Sequence, residues 1–136
     1  MSNQKSKKMK EHFLDVITNH YADFNGRARR KEYWMFTLFN AITNLVLYIL
    51  AIVGTVSTGS ETVATILSAI YGIYCLAIIL PSLSIIVRRL HDIGKSGWAW
   101  FMCLIPLAGP IIVLVYMCTD SQPGSNEYGP NPKGIN

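Results

Sequence analysis

Val87-Arg88-Arg89-Leu90-His91-Asp92-Ile93-Gly94-Lys95-Ser96-Gly97-Trp98 is a polar island between two long apolar runs. It holds three of the twelve Lys and Arg residues of this 136-residue chain. Residues 62–87 before it carry no Asp, Glu, Lys or Arg, and neither do residues 96–119 that overlap its end. A further uncharged run covers residues 33–60. Each run is long enough for a bilayer crossing, which takes about 20 helical residues. A soluble protein of this size could hardly hide three such helices, because a soluble helix keeps a polar face. The pattern predicts an all-α membrane protein with three transmembrane helices, at about 33–56, 62–87 and 98–118, in one integral-membrane domain.

Upstream of the first span, Met9, Phe13, Val16, Ile17 and Tyr21 recur at helical spacing among polar residues. They predict a short amphipathic helix over about 8–22, after a disordered lysine-rich start. Such a helix either lies in the membrane interface with Phe13 and Ile17 down or caps the bundle. Phe24-Asn25-Gly26 breaks it, and Arg27, Arg29, Arg30 and Lys31 lead into Tyr33-Trp34, an interfacial aromatic pair.

Within the first span, Thr37, Asn40, Asn44 and Tyr48 share one helix face. Amides are costly in lipid, so this face should look into the bundle and bond another helix, or line a polar path. Thr58 and Glu61 have capping-box spacing in a turn short enough to make the first two spans antiparallel neighbours. Ala64, Ser68 and Gly72 form a small-residue stripe for close helix approach, toward the first span or a second copy. Pro81 should kink the second span, with Ser82 and Ser84 available to freed carbonyls. Gly94 suits the close of that helix and Ser96 the cap of the next. Pro106, Gly109 and Pro110 interrupt the third run, which predicts a kinked span or, if the break is buried, a re-entrant segment. The tail from Thr119 to Asn136 is rich in Gly, Pro and Asn and reads as flexible.

Eight Lys and Arg residues precede the first span, none lies in the first loop, three lie in the second and one in the tail. With three spans this asymmetry favours the N-terminus in the cytoplasm and the C-terminus on the far side, whereas a re-entrant third segment would bring the tail back inside. It also brings Arg27, Arg30, Arg88 and Arg89 to one membrane edge, with His91, Asp92 and Lys95 beside them. Arginine forks take phosphate oxygens in pairs, so these seven residues are the candidate site for an anionic lipid headgroup or another phosphate. The basic charges flank apolar spans, which points to anionic membrane lipids rather than nucleic acid. A second copy or another membrane protein is the other partner class.

Catalytic and cofactor signals are poor. Gly94-Lys95-Ser96 ends like a phosphate-binding P-loop, but Arg89 stands where the first glycine belongs. His91-Asp92 lacks the further ligands of a metal site. Cys75, Cys103 and Cys118 sit in apolar runs without C-x-x-C spacing and read as packing residues. No cofactor or metal is expected. The leading reading is a membrane interaction or accessory protein. An oligomeric transporter lined by Thr37, Asn40 and Asn44, or a headgroup enzyme using His91 or Asp92, are the alternatives.

Three motifs stand out along residues 9–132. They are Phe24-x-Gly26-Arg27-x-x-Arg30 with Tyr33-Trp34, the island from Arg88 to Trp98, and Ile105-Pro106 followed by Gly124-x-Asn126-x-Tyr128-Gly129. On these motifs the chain resembles the YhaH-type family of small bacterial inner-membrane proteins of unknown function. Two positions depart from the family pattern: Ala99 stands where a second aromatic often follows Trp98, and Glu127 where a basic residue often precedes Tyr128. The resemblance implies an integral inner-membrane protein and supplies no mechanism.

Overall fold

A computed structural model describes residues 2–133. The side chain of Met9 and tail residues 134–136 lie outside the described residues. Helix α1 is Ser2–Thr18, α2 Arg30–Thr58 and α3 Glu61–Asp92; a 3-10 helix at Gly97–Leu104 and α4 at Ala108–Cys118 follow. No strand is present among the described residues.

The lysine-rich start is helical rather than disordered, and α1 ends at Thr18 rather than near 22. It packs as a cap on the bundle. Phe13 stacks on Phe36 with ring centroids 5.3 Å apart and lies 4.3 Å from the ring of Phe39. Phe13, Val16, Ala28, Phe36, Ile78 and Ile85 form the buried core, which therefore sits at the α1 end of the bundle. Leu45, Ile49, Val53, Ile66, Ile70 and Ile73 are exposed along the rest of α2 and α3. Both helices are long and apolar enough to cross a membrane.

The turn between them closes on Gly59, whose φ of 59° is left-handed. Ser60 rather than Thr58 caps α3, its Oγ accepting from Val63 N at 3.4 Å. Thr58 Oγ1 instead donates to Gly54 O and accepts from Ser60 N, so the expected capping box does not form. The polar face of α2 does bond α3. Tyr74 donates to Asn40 Oδ1 at 2.6 Å and Tyr71 to Asn44 Oδ1 at 3.3 Å. At Gly72, the last residue of the small-residue stripe, a Cβ would meet nothing within 4 Å, so no helix packs closely at that position. The close approach is made by Gly54 of α2, against Leu67.

Helix α3 runs on through Pro81. Proline has no N–H to give the carbonyl four residues back, at Ala77. Tyr21 supplies the missing donor, its hydroxyl 2.6 Å from Ala77 O. Ser84 Oγ lies 2.7 Å from His20 O, so residues 20 and 21 latch the loop after α1 onto α3.

The third apolar run is not one helix, which corrects the expected span at 98–118. The 3-10 helix of eight residues and α4 of eleven are the arms of a hairpin. Each arm is about 16 Å long, half of a hydrocarbon core of about 30 Å. Ala108 N donates to Pro106 O at 2.7 Å around Leu107, whose φ of 64° and ψ of −55° make a rare, strained γ-turn. Gly109 lets the arms meet: a Cβ there would lie 2.4 Å from Met102 O. Both ends of the hairpin return to the Asp92 end of α3. Gly97 packs on Val87, and Arg89 donates to Met117 O at the close of α4.

Candidate functional site

Asp92 is fully buried and organises the polar end of the bundle. Its Oδ1 accepts from Arg27 Nε at 3.0 Å and its Oδ2 from Arg89 Nη1 at 2.7 Å. Ser121 Oγ donates to Oδ2 at 2.5 Å. One carboxylate thus ties the segment before α2, the end of α3 and the tail.

Arg27 has five N–H groups, and each reaches an acceptor of the protein. Besides Asp92 Oδ1 these are Asp92 O at 3.1 Å, Gln122 O at 2.7 Å, Gly124 O at 2.8 Å and Gly129 O at 3.3 Å. Arg89 also donates to Met117 O at 3.3 Å and to Thr119 O. No N–H of Arg27 is left for a ligand, and Arg89 is sealed from solvent.

The same contacts fix the tail through residue 133, contrary to the flexibility expected of residues 119–136. Asn126 Nδ2 donates to His91 O at 2.9 Å, and Gln122 N to Asp92 O at 2.8 Å. Both carbonyls lie in the last turn of α3, where helical donors run out, and His91 O also accepts from Gly94 N at 3.0 Å. Gly94 closes α3 with φ 77°, as expected, and its bare Cα admits Gln122 Oε1, which would be 2.5 Å from a Cβ. Ser96 makes no side-chain cap.

The remaining candidates occupy separate places. His91 stacks on Tyr128 with centroids 3.8 Å apart and planes within 2°. Its Nδ1 lies 3.0 Å from Gly26 O, an acceptor only, so Nδ1 carries the proton. Lys95 Nζ lies 4.9 Å from the centre of the Tyr116 ring. Arg30 is exposed, donating to Cys118 O at 3.1 Å and pairing with Asp120 at 3.7 Å. The Lys133 ammonium bonded to Asp120 holds that carboxyl below its usual pKa, helped by Ser121 N–H.

Arg88 faces the other way, toward α1 and the loop after it. It is buried at 3% exposure, and its Nε and Nη2 have no hydrogen-bond partner. The opposite charges acting on it are Glu32, Asp23 and Asp15. None makes an ion pair with it among the described residues. Asp23 is held below its usual pKa chiefly by His20, whose Nδ1 lies 2.8 Å from its Oδ2, and by Asn25 N–H. The four arginines therefore share one end of the bundle but divide into a buried pair on Asp92, an exposed Arg30 and an Arg88 with two unpartnered nitrogens.

Sequence reasoning missed Tyr21, Tyr71, Tyr74, Ser121 and Gln122. A proline in α3 signals that Ala77 O needs a donor, but nothing local names Tyr21. A cavity of about 180 Å³ between α2 and α3 includes Thr37, Asn40 and Ser82 in its lining. Among the described residues no cluster of three His, Cys, Asp or Glu is arranged to hold a metal.

The Arg27–Asp92–Arg89 knot lies in a stretch of the chain that has relatives. Residues 21–130 match the family described as "Protein of unknown function (DUF805)". The chain belongs to this family. It is 43% identical to the inner membrane protein YhaI of Escherichia coli strain K12 over 122 residues, covering 89% of this chain and 94% of that protein. It is 44% identical to the inner membrane protein YhaH of the same strain, over 89% of this chain and 95% of that one. The uncharacterized protein YiiR of that strain is 28% identical over 82% of this chain and 87% of its own length. No solved structure matches. The matched segment contains Arg27, Arg88, Arg89, Asp92 and Gly129, so the knot lies within the family's shared region. The similarity supports placement in the inner membrane, and the relatives' names assign no activity.

Proposed function

We propose that this chain is an inner-membrane interaction or accessory protein that holds a phospholipid headgroup phosphate at its cytoplasmic edge. In this reading α2 and α3 span the membrane and the hairpin is re-entrant. The N-terminus and tail then share the cytoplasmic side. The tail bonds to Arg27 and Arg89, so Lys133 joins the basic residues before α2 and in the island. That concentration of Lys and Arg beside the span ends is the pattern of a cytoplasmic face. Arg29, Arg30, Lys31 and Lys95 supply general attraction to anionic lipid, roughly 1 kcal/mol for each residue near the surface.

The observation that carries the phosphate reading is Arg88, a buried guanidinium with two unpartnered nitrogens. A buried charge left without a partner is costly, and two parallel N–H groups suit two oxygens of one phosphate. Native mass spectrometry from gentle detergent tests it. Arg88→Lys should lose a tightly retained phospholipid that Arg30→Lys keeps. Equal retention in both variants would leave only general charge attraction.

A further inference from the structure

We propose that Arg88 and the carboxylates around it recognise a zwitterionic phosphate–ammonium group of the phosphoethanolamine type, an inference that rests on the headgroup-phosphate reading above. Nε and Nη2 of Arg88 are the two unpartnered atoms, and they lie side by side on one edge of the guanidinium. That edge matches an oxyanion with two adjacent oxygens.

The surroundings then select among oxyanions. Glu32, Asp23 and Asp15 act on Arg88, and Arg29 lies 3.8 Å from Glu32. Three carboxylates stand with two guanidinium groups here, and His20 Nδ1 lies 2.8 Å from Asp23 Oδ2. A purely anionic headgroup would gain Arg88 but meet the carboxylates. A headgroup that carries an ammonium beside its phosphate answers both signs. The side chains are graded in depth to suit it. Arg88 is the buried member, Glu32 is 27% exposed, Asp23 36% and Asp15 50%. The phosphate sits deep against Arg88, and the ammonium lies outward among the carboxylates. Arg88 is in the last turns of α3 and Glu32 in the first turn of α2, at the edge where lipid headgroups lie.

The test uses the full chain in detergent, offered phosphatidylethanolamine, phosphatidylglycerol or phosphatidylcholine separately, with adducts read by native mass spectrometry. The wild type should retain phosphatidylethanolamine above the other two. Phosphatidylcholine has the phosphate and a positive charge but no N–H to give the carboxylates. Arg88→Lys should weaken the phosphatidylethanolamine adduct about tenfold or more, the loss of charge-assisted bonds. The double variant Glu32→Gln with Asp23→Asn leaves Arg88 in place and alters only partly exposed groups. It should lose the preference and bind phosphatidylglycerol at least as well, which keeps the proposal testable if Arg88→Lys does not fold. Soluble phosphoethanolamine distinguishes the source. An Arg88-dependent adduct with it supports a free small molecule, and an adduct with the diacyl lipid alone supports a lipid. A wild-type preference for phosphatidylglycerol, lost in Arg88→Lys, would overturn the zwitterion and keep the phosphate reading. Lipid retention indifferent to Arg88 would overturn both.

Discussion

Arg27 Nε lies 3.0 Å from Asp92 Oδ1, across 65 positions of sequence, and both side chains are sealed from solvent. Arg89 holds the other oxygen of the same carboxylate at 2.7 Å. The pair closes a ring that joins the lead into α2, the end of α3 and the tail. A buried carboxylate with two guanidinium partners contributes mainly when it is removed, because both cations are then left without an anion.

Asp92→Ala should therefore destabilise the fold by about 3–5 kcal/mol. Thermal unfolding in detergent would read this, with protease sensitivity of the tail rising in parallel. Asp120→Ala, at an exposed carboxyl, should change stability far less. Equal effects of the two would mean that Asp92 does not organise this end.

Tyr21 and Pro81 make a conditional pair. Tyr21→Phe should cost about 0.5–1.5 kcal/mol, because Ala77 O loses the donor that stands in for the N–H Pro81 lacks. In a Pro81→Ala background the helix supplies its own N–H, and the same substitution should become nearly neutral. A double-mutant cycle reads the coupling. Additive effects would show that Tyr21 acts elsewhere.

Two glycines should behave oppositely. Gly109→Ala places a Cβ against the backbone carbonyls of Met102 and Cys103, which cannot swing aside. It should open the hairpin at a cost of about 1–3 kcal/mol. Gly72→Leu points into open space and should leave thermal stability of the monomer unchanged. A change in oligomer mass for Gly72→Leu would assign that face to a second copy. Strong destabilisation of a monomeric protein would contradict the packing described.

The helices were legible because their cause is local. Uncharged runs set α2 and α3, and Gly59 and Gly94 close them through left-handed backbone. The amides of Asn40 and Asn44 pointed inward for the reason expected, although their tyrosine partners on α3 carry no local signal. The tail was misread because Gly, Pro and Asn mark both disorder and tight turns. Here the turns at Gly124 and Gly129 present carbonyls to Arg27, a partner about 100 residues away. The break in the third run was legible in Pro106, Gly109 and Pro110, but not that it would be a full turn rather than a kink. Gly109 and the turn at Leu107 fold it into two short arms instead. The arginine edge was expected as one group, and its division follows from Asp92, which was placed among the ligand-facing residues and is the internal anion of two of them.

The hairpin sets the side of the C-terminus, and that side tests the account most directly. Reporters after Gly59, within the island at Gly94 and after Asn136 would read it in intact cells. Gly94 and Asn136 should both read cytoplasmic and Gly59 periplasmic. A periplasmic reading at Asn136 with Gly94 cytoplasmic would mean that residues 98–118 cross the membrane. The Arg27–Asp92–Arg89 knot could not then hold the tail.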